Sequence, residues 1–524
     1  MSDKARPIML QGTSSHVGKS IITAALCRIF RGHGLRVAPF KAQNMALNSF
    51  VTMDGGEIGR AQAFQAEAAG IEPTVDMNPI LLKPTSDMGS QVIIHGKVYG
   101  NMKAAEYHRF KKEAARYVME SYRRLEEEND LIVIEGAGSP AEINLRENDI
   151  ANMGLAEMVD APVILIGDID RGGVFASLVG TMELLTASEK KRVKGFIINK
   201  FRGDFELLKP GLDFLENKTG LPVLAVVPYL KDIILPDEDG VVLERSQEPG
   251  ARSRKVGWAA PTNRINISII QLPRISNFTD FDPFRFEPDV SIHYITEPAE
   301  LDGADVVIIP GSKNTLEDMD WLWKTGIADK LIHYAENGGK VIGICGGFQM
   351  MGKLVKDSHG VESHVKEMKG LGLLHGETIL EKEKKTYQVK AIIQVADNRQ
   401  QATVKGYEIH MGETDGKENY FAIITDRNNT PVKIKDGAVS ANGKIWGTYI
   451  HGIFDNDEFR TEFLNEMRIT KGLPFQGVIR FKDKKDENIK TLARVINESI
   501  DLPGLYEIIK LDFRPDPPFG WVPR

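Results

Sequence analysis

The chain has 524 residues, which is too many for a single hydrophobic core, and roughly two to four domains are expected. Its 73 acidic and 66 basic side chains leave a formal net charge of -7 and no basic excess, which argues against a nucleic-acid partner. The two cysteines, Cys27 and Cys345, exclude a disulfide framework. The sequence also lacks a signal peptide and an apolar run of about 20 residues, so we expect a cytoplasmic protein with no membrane span.

The first half of the chain predicts a parallel α/β sheet. Short apolar runs that have the length of buried strands occur at residues 7–10, 36–40, 131–135, 162–167, 195–200 and 222–227. Helical spacing of apolar residues predicts a helix that starts near residue 19 and a longer one over 103–128. Strands that are apolar throughout are typical of a parallel sheet with helices on both faces.

A polar stretch at residues 244–263 interrupts this pattern and is interpreted as a linker. Strand-like runs resume at 265–272, 305–311 and 340–347, with a helix predicted over 316–336 and another over 487–500. The predicted fold is therefore α/β in both halves of the chain. The expected domains are a first α/β domain (1–243), the linker (244–263), a second α/β domain (264–462) and a C-terminal helical segment with a tail (463–524).

The stretch GTSSHVGKS, Gly12 to Ser20, lies between the first predicted strand and helix. It resembles the phosphate-binding pattern G-x-x-x-x-G-K-[ST], but its first glycine comes one position early, so that Thr13 stands where a glycine is usual. We expect nucleotide binding by Gly12, Thr13, Gly18, Lys19 and Ser20 rather than a plain glycine turn. Lys19 would reach the β- and γ-phosphates, and the Ser20 hydroxyl would bind Mg²⁺. The early glycine is similar to that of dethiobiotin synthetase-like enzymes, which transfer phosphate to a carboxylate or its equivalent.

Acidic residues follow two of the predicted strands. Glu135 is the last residue of the run at 131–135 and ends the predicted strand. A carboxylate at that position can bind Mg²⁺ directly or through water. Asp168 and Asp170 follow the run at 162–167 and could serve the same cation or the substrate. The alternative for Glu135 is a carboxylate that only ends a strand, and its pairing with the phosphate loop favours the metal ligand.

Cys345 lies in the stretch VIGICGGFQMMG, which predicts a strand, a sharp turn and a helix. A nucleophile on such a turn is exposed at the carboxyl edge of a sheet, and the helix N-terminus lowers the pKa of a thiol. We therefore expect Cys345 to be a catalytic nucleophile. Cys27, which lies inside the predicted helix after the phosphate loop, is expected to be a buried structural thiol.

A thiol nucleophile requires a base, and the residues alone leave His375, His410 and His451 open. His451 and His410 both follow short apolar runs, so the two have similar predicted positions at a sheet edge. The backbone N–H groups of Gly311 and Gly346 are candidate oxyanion donors. A phosphate loop combined with a Cys/His site predicts that glutamine is hydrolysed to ammonia and that a carboxylate, activated as an acyl phosphate, receives it.

Many segments in order along the chain resemble the cobyric acid synthase family of glutamine-dependent amidotransferases in cobalamin biosynthesis. The resemblance is carried by GTSSHVGKS (12–20), FKAQNMALNS (40–49), EIGRAQ (57–62), MNPILLKP (77–84), DIDRGGVFAS (168–177), NKFRGD (199–204), RISNFTDFDPF (274–284), PGSKNT (310–315), CGGFQMMG (345–352), GYEIHMGET (406–414) and GTYIHGIFDND (447–457). It implies a P-loop domain joined to a triad-type (class I) glutamine amidotransferase-like α/β domain. It also implies amidation of the b, d, e and g carboxylates of adenosylcobyrinic acid a,c-diamide, a corrinoid, with ATP, Mg²⁺ and glutamine.

The resemblance further implies Cys345 as the nucleophile and His451 as the base. Triad amidotransferases carry a glutamate two residues after the histidine, and Ile453 stands there in this chain. Asp455 is one substitute, and a Cys/His dyad is the alternative. Oligomeric state is left open.

The loop after the second predicted strand resembles the loop where related synthetases bind substrate and phosphate. Its residues Lys41, Gln43 and Asn44 are therefore candidate substrate ligands, as is Asp149 in the stretch that follows Glu135. A cation such as Lys41 can hold a carboxylate and screen charge during phosphoryl transfer. The alternative for each of them is a solvated loop residue.

Three other functions compete with this interpretation. The sister family of cobyrinic acid a,c-diamide synthases shares the two-domain plan, and related amidotransferases act on a cell-wall lipid. A P-loop regulatory ATPase with an inactive amidotransferase domain is the non-enzymatic alternative. That alternative predicts the loss of Cys345 or His451, and both residues are present.

Overall fold

The computed structural model describes residues 4–86, 89–230, 233–234, 263–394, 402–416 and 419–513. The strands of the first half are β1 (Arg6–Gly12), β2 (Val37–Phe40), β3 (Gln43–Met45), β4 (Ser49–Val51), β5 (Glu57–Gly59), β6 (Ile80–Ser86), β7 (Gly89–Ile94), β8 (Lys97–Lys103), β9 (Leu131–Glu135), β10 (Val163–Asp168), β11 (Val193–Phe201) and β12 (Val223–Pro228). Its α-helices are Lys19–Gly32, Arg60–Ala69, Ala104–Glu128, Met153–Met158, Val174–Leu184, Ala187–Arg192 and Phe205–Thr219.

Six parallel strands form the central sheet of this half, in the order β12-β11-β10-β1-β9-β2. Successive residues of β9, such as Ile132 and Val133, belong to apolar clusters on opposite faces of the sheet. The predicted parallel sheet with helices on both faces is therefore confirmed. In the register of the sheet Leu10 pairs with Glu135, so the phosphate loop and this carboxylate meet at one edge.

The part of the chain that connects β2 to β9 forms a small sheet that was not predicted from the sequence. Strands β3, β6, β7 and β8 form it, and β4 pairs with β5 beside it. The β7–β8 connection is the two-residue turn His95–Gly96, in which both residues have positive φ, +46° and +75°. That backbone conformation matches the twist of a tight hairpin, and glycine adopts it without strain.

The strands of the second half are β13 (Ile265–Ile270), β14 (Ile275–Ser276), β15 (Val290–Ile295), β16 (Val306–Ile309), β17 (Gly311–Ser312), β18 (Lys340–Ile344), β19 (Leu354–Lys356), β20 (Glu367–Lys369), β21 (Glu377–Ile393), β22 (Thr403–Thr414), β23 (Ala422–Arg427), β24 (Thr430–Asp436), β25 (Ala438–Val439) and β26 (Ile445–Thr448). Its α-helices are Thr315–Lys324, Ile327–Glu336, Gly346–Met351, Asp457–Lys471, Phe481–Ser499 and Leu502–Ile509.

The main sheet of this half has the order β15-β13-β16-β18-β26-β25 and is parallel except for β25. A second sheet, β20-β19-β21-β23-β24 with β22 paired to β21, lies beside it. The helix predicted over 316–336 is two helices in the structure, Thr315–Lys324 and Ile327–Glu336. Gly326 lies between them with a φ of +77°, which is not a right-handed helical conformation. The long hairpin of β21 and β22 was not predicted.

The C-terminal segment returns to the first half of the molecule. Helix Asp457–Lys471 runs across the predicted boundary at residue 463. Leu492, Ile496 and Leu505 of the two final helices are buried in the same apolar cluster as Ile8 and Leu10 of β1. The predicted linker at 244–263, except for its last residue, and the tail from 514 lie outside the described residues. In the part of the chain that is described, no helix is long and apolar enough to cross a bilayer.

Candidate active sites

The loop from Gly12 to Ser20 joins the end of β1 to the start of helix Lys19–Gly32. Gly18 precedes the helix with a φ of +97°, a conformation that strains residues with a Cβ atom. Nζ of Lys19 donates to the carbonyl oxygens of Ser14, at 3.1 Å, and Gly138, at 3.2 Å. The lysine side chain therefore lies under the curve of the loop, which is the position from which a P-loop lysine meets phosphate oxygens.

Glu135 is buried at the carboxyl end of β9, with 1 % of its surface exposed. Oε1 of Glu135 accepts hydrogen bonds from Ser20 Oγ, at 2.8 Å, and from Lys41 Nζ, at 2.7 Å. Oε2 accepts from Nε2 of Gln65 at 2.6 Å. The structure thus brings the predicted metal ligands Ser20 and Glu135 into contact, with the predicted substrate ligand Lys41 on the same carboxylate. We call Gly12–Ser20 with Glu135 the phosphate site.

Asn199 and Lys200, which were not predicted as site residues, support the phosphate loop. Nδ2 of Asn199 donates to the carbonyl oxygen of Val17 at 2.7 Å. Nζ of Lys200 donates to the carbonyl oxygen of His16, at 2.8 Å, and to Oδ2 of Asp168, at 2.6 Å. Asp168 therefore holds the lysine that supports the loop. The signal for Asn199 and Lys200 was present, because NKFRGD is one of the segments that carry the family resemblance.

The other candidate substrate residues occupy two environments. Gln43 accepts a hydrogen bond from the Tyr107 hydroxyl at 2.7 Å, and Asn44 donates to Gln62 at 2.9 Å. Both residues lie in strand β3, which follows Lys41 closely, and not in a loop. Asp149 accepts hydrogen bonds from the backbone N–H groups of residues 151, 152 and 154 at 2.9–3.0 Å. Its carboxylate is thereby committed to the first turn of helix Met153–Met158.

Cys345 occupies the sharp turn between β18 and helix Gly346–Met351, with a φ of +53° and a ψ of −109°. Such a conformation is strained for a residue other than glycine and marks a position that the surrounding structure enforces. A Cβ atom on Gly346 would lie 2.8 Å from the backbone nitrogen of Ser312, and one on Gly347 would lie 2.0 Å from the carbonyl oxygen of Ile309. The glycines therefore allow the helix to start against the neighbouring strand.

His451 is buried beside this thiol and forms a side-chain hydrogen bond with it. Nδ1 of His451 lies 2.7 Å from Oδ2 of Asp280, which leaves Nε2 to face Cys345. Burial by itself would lower the pKa of His451, but the charges of Asp280 and Cys345 outweigh it and raise that pKa to about 10. The backbone N–H of Gly452 also donates to Asp280, at 3.1 Å. We call Cys345, His451 and Asp280 the thiol site.

The acid of this site is Asp280, whereas the sequence predicts either Asp455 or a Cys/His dyad. Asp455 is exposed, whereas Asp280 is 4 % exposed and holds the histidine.

The other two candidate bases occupy different positions in the fold. His410 does not follow a short strand as expected, because it lies within β22. Its Nδ1 lies 2.8 Å from the carbonyl oxygen of Gly412, and its ring stacks on Tyr449. His375 lies in the loop before β21.

The cavity at Cys345 is lined by residues from both halves of the chain. His410, Gln349, Lys313, Glu362, Lys83 and Lys384 are among them. Burial lowers the pKa of Lys313 and raises that of Glu362. Gly311 is close by, since a Cβ atom there would lie 3.2 Å from Cε1 of His451. The two glycines predicted as oxyanion donors, Gly311 and Gly346, are therefore both adjacent to the thiol site.

Two protein-family models match this chain. Residues 8–242 match a CobQ/CobB/MinD/ParA nucleotide binding domain, and residues 266–459 match a CobB/CobQ-like glutamine amidotransferase domain. Among similar proteins, the cobyric acid synthase of Clostridium tetani is 52% identical over 508 residues, 97% of this chain and 99% of that protein. The cobyric acid synthases of Caldanaerobacter subterraneus subsp. tengcongensis and Syntrophobacter fumaroxidans are 50% and 48% identical, over 97% and 98% of this chain and 99% and 100% of those proteins.

Proposed function

Because the chain belongs to the cobyric acid synthase family, we propose that its two sites divide one reaction between them, glutamine hydrolysis at the thiol site and carboxylate activation at the phosphate site. The protein is a glutamine-hydrolysing, ATP-dependent amide ligase of cobalamin biosynthesis. Its substrates are glutamine and a corrinoid. The finer assignment is four amidations, at the b, d, e and g carboxylates of adenosylcobyrinic acid a,c-diamide. We expect this chemistry in the cytoplasm, where ATP and glutamine are available.

At the thiol site, Sγ of Cys345 attacks the amide carbon of glutamine after its proton passes to Nε2 of His451. The oxyanion that forms is stabilised by the backbone N–H groups of Gly311 and Gly346. His451 then protonates the leaving nitrogen, ammonia departs, and a thioester remains. Water hydrolyses the thioester to glutamate and restores the thiol. Asp280 keeps the His451 ring in the tautomer that presents Nε2 to sulfur.

At the phosphate site, ATP lies along Gly12–Ser20 with its β- and γ-phosphates at Lys19. The residues present fit Mg²⁺, because Ser20 Oγ and Glu135 Oε1 are 2.8 Å apart, close to the edge of an octahedron with oxygen ligands at roughly 2.1 Å. Among the described residues no cluster of three acidic, histidine or cysteine side chains offers a metal cage. Ser20 and Glu135 would thus hold Mg²⁺ together with phosphate oxygens and water. When bound, Mg²⁺ neutralises charge on the transferred phosphoryl group.

The corrinoid carboxylate takes the γ-phosphoryl group, which gives an acyl phosphate and ADP. Ammonia attacks the acyl carbon, the amide forms, and phosphate leaves. Activation is needed because hydroxide is a poor leaving group. Lys41, whose Nζ lies 2.7 Å from Oε1 of Glu135, would hold the carboxylate, and Gln43 and Asn44 of β3 follow it in the chain. The carboxylate of Asp149 caps a helix and takes no part in this scheme.

One observation carries the proposal. His451 lies between a thiol and a buried carboxylate in the same chain as a phosphate loop whose serine contacts Glu135. A regulatory ATPase has no need of the first arrangement, and a stand-alone glutaminase has no need of the second. An amide ligase that makes its own ammonia requires both.

The experiment is mass spectrometry of adenosylcobyrinic acid a,c-diamide after incubation with the protein, MgATP and glutamine. We expect a ladder of products that ends at four new amides. Cobyrinic acid is the matched substrate, and its conversion to a diamide would instead identify the sister activity. If glutamine is hydrolysed but the corrinoid is unchanged, the protein is still an amidotransferase, and its carboxylate substrate is a different molecule. If neither glutamine nor the corrinoid changes, the regulatory ATPase alternative is favoured.

A further inference from the structure

A single stretch of the N-terminal half reaches from one site to the other. We call residues 41–49 the linking segment. Its first residue, Lys41, contacts Glu135 of the phosphate site at 2.7 Å. Its last two residues, Asn48 and Ser49, lie against the second half of the chain, and both are fully buried, at 1 % and 0 % exposure. Nothing in the scheme above uses these two residues.

Asn48 and Ser49 bind the turn that precedes Asp280. Oδ1 of Asn48 accepts a hydrogen bond from the backbone N–H of Phe278 at 3.2 Å. The backbone N–H of Ser49 donates to Oδ1 of Asn277 at 2.9 Å. Asn277 has a φ of +54° and begins the 3₁₀ helix Phe278–Phe286, which presents Asp280 to His451. The two bonds therefore fix the start of the element that carries the acid of the thiol site.

Ser49 also touches the other support of the catalytic ring. Its carbonyl oxygen accepts a hydrogen bond from the hydroxyl of Tyr407 at 3.4 Å. The Tyr407 ring stacks on the His451 ring, with centroids 5.2 Å apart and planes inclined by 16°. The backbones of these two residues exchange hydrogen bonds of 3.1 and 2.9 Å. Both neighbours that orient His451, the acid and the stacked ring, are thus held from the N-terminal half.

We propose that Asn48 and Ser49 are positioning residues of the thiol site, so that the synthetase half of the chain completes the geometry of the glutaminase. The inference rests on the proposed function, since it assumes that the thiol site hydrolyses glutamine. Not every bond between the halves ends on the 3₁₀ helix of Asp280 or on Tyr407. The hydroxyl of Thr386, for example, donates to the carbonyl oxygen of Gly55 at 2.7 Å.

The test compares Asn48→Ala with Asn48→Asp and Thr386→Ala in the full chain. Alanine leaves the buried N–H of Phe278 without its acceptor and frees the turn that holds Asp280. A misplacement of about 1 Å in a catalytic group costs roughly 100-fold in rate. We expect kcat for glutamine hydrolysis to fall by roughly 10- to 100-fold in Asn48→Ala, with KM for glutamine within about twofold.

The conservative and control variants separate positioning from domain docking. Asn48→Asp keeps the oxygen acceptor, and the amide nitrogen that it loses has no hydrogen-bond acceptor among the described residues, so we expect most of kcat to return. Thr386→Ala removes a bond of the same kind between the same halves and should leave glutaminase activity unchanged. Ammonia-dependent amidation should be retained in all three variants, which also shows that they fold.

If the parent chain hydrolyses glutamine, two results would overturn this inference and leave the proposed function intact. One is an Asn48→Ala protein with full glutaminase kcat, and the other is an equal loss in Thr386→Ala. If Asn48→Ala does not fold, Tyr407→Phe decides, because it removes only the hydroxyl that contacts Ser49 and keeps the ring on His451. Full glutaminase kcat in Tyr407→Phe would then overturn the inference, and a severalfold loss would support it. A parent chain that leaves glutamine intact would overturn the proposed function together with the inference.

Discussion

The phosphate site and the thiol site are built in opposite ways. Nine consecutive residues, Gly12 to Ser20, supply most of the phosphate site, and Glu135 joins them from the neighbouring strand. The thiol site takes its three side chains from three distant segments, at residues 280, 345 and 451. A local loop keeps its shape through its own backbone and the helix it begins. A site assembled from distant segments depends on the packing of each segment. Contacts from the other half of the chain can therefore change the positions of its catalytic groups.

The largest difference between the two sites should appear on removal of the thiol. In Cys345→Ala we expect glutamine-dependent amidation to fall by about 10⁶-fold, since loss of a nucleophile costs about that much in a comparable triad. Amidation with free ammonium chloride should stay within twofold of the parent, because the phosphate site is untouched. Corrinoid amides counted with each nitrogen source measure both. Equal loss with ammonia would mean that the two sites cannot work separately.

The next largest effect is expected from the acid that holds the base. Asp280→Asn preserves the shape of the side chain but favours the wrong His451 tautomer, and we expect kcat for glutamine hydrolysis to fall by roughly 10³- to 10⁴-fold. Asp455→Asn is the matched control and should change kcat by less than threefold, since Asp455 is exposed and Nδ1 is already bound to Asp280. A larger loss in Asp455→Asn than in Asp280→Asn would reassign the triad.

The contrast between the sites also explains what the sequence could predict. The run LIVIE coincides with β9, and the helix predicted over 103–128 is Ala104–Glu128 in the structure. Buried strands of a parallel sheet are apolar throughout, so their pattern is strong and local. The phosphate loop and the turn at Cys345 are also local, since each is a short stretch between a strand and a helix. Features of this kind can be predicted because the residues that form them are close together in the sequence.

The features that were missed depend on distant contacts. Asp280 precedes His451 by 171 positions, and no spacing rule joins two residues that far apart. Choosing His451 over His410 from the residues alone failed for the same reason, since only packing shows that His410 lies within β22. The small sheet of β3, β6, β7 and β8 has short strands whose apolar runs are broken by polar residues. Its pattern was therefore weak.

Loss of the P-loop lysine should give the reverse of the Cys345→Ala result. In Lys19→Ala we expect amidation to fall by about 10³-fold with either nitrogen source, because a cation at the transferred phosphate is lost. Glutamine hydrolysis should continue at more than half the parent rate. ADP, glutamate and corrinoid amide, measured in one reaction, test the separation. Amide formation at the parent rate would remove the phosphate loop from the mechanism.

The smallest effect that we predict concerns the packing that assembles the thiol site. Glu287 follows the 3₁₀ helix that carries Asp280, and its two oxygens pair with Arg460, at 2.9 Å, and Arg468, at 3.2 Å. Both arginine side chains are fully buried on helix Asp457–Lys471, which follows His451. The carboxylate therefore joins the segment of the acid to the segment of the base.

Glu287→Gln leaves two buried guanidinium groups short of countercharge, and breaking a buried ion pair costs about 3 kcal/mol or more. We expect the free energy of unfolding to fall by about that amount in urea titrations, and glutaminase activity to disappear at a lower urea concentration than ammonia-dependent amidation. Arg494→Ala is the control, since its exposed pair with Glu498 contributes less than about 0.5 kcal/mol. Simultaneous loss of both activities in Glu287→Gln would show that the two sites share one stability. The phosphate site would then depend on distant packing as much as the thiol site does.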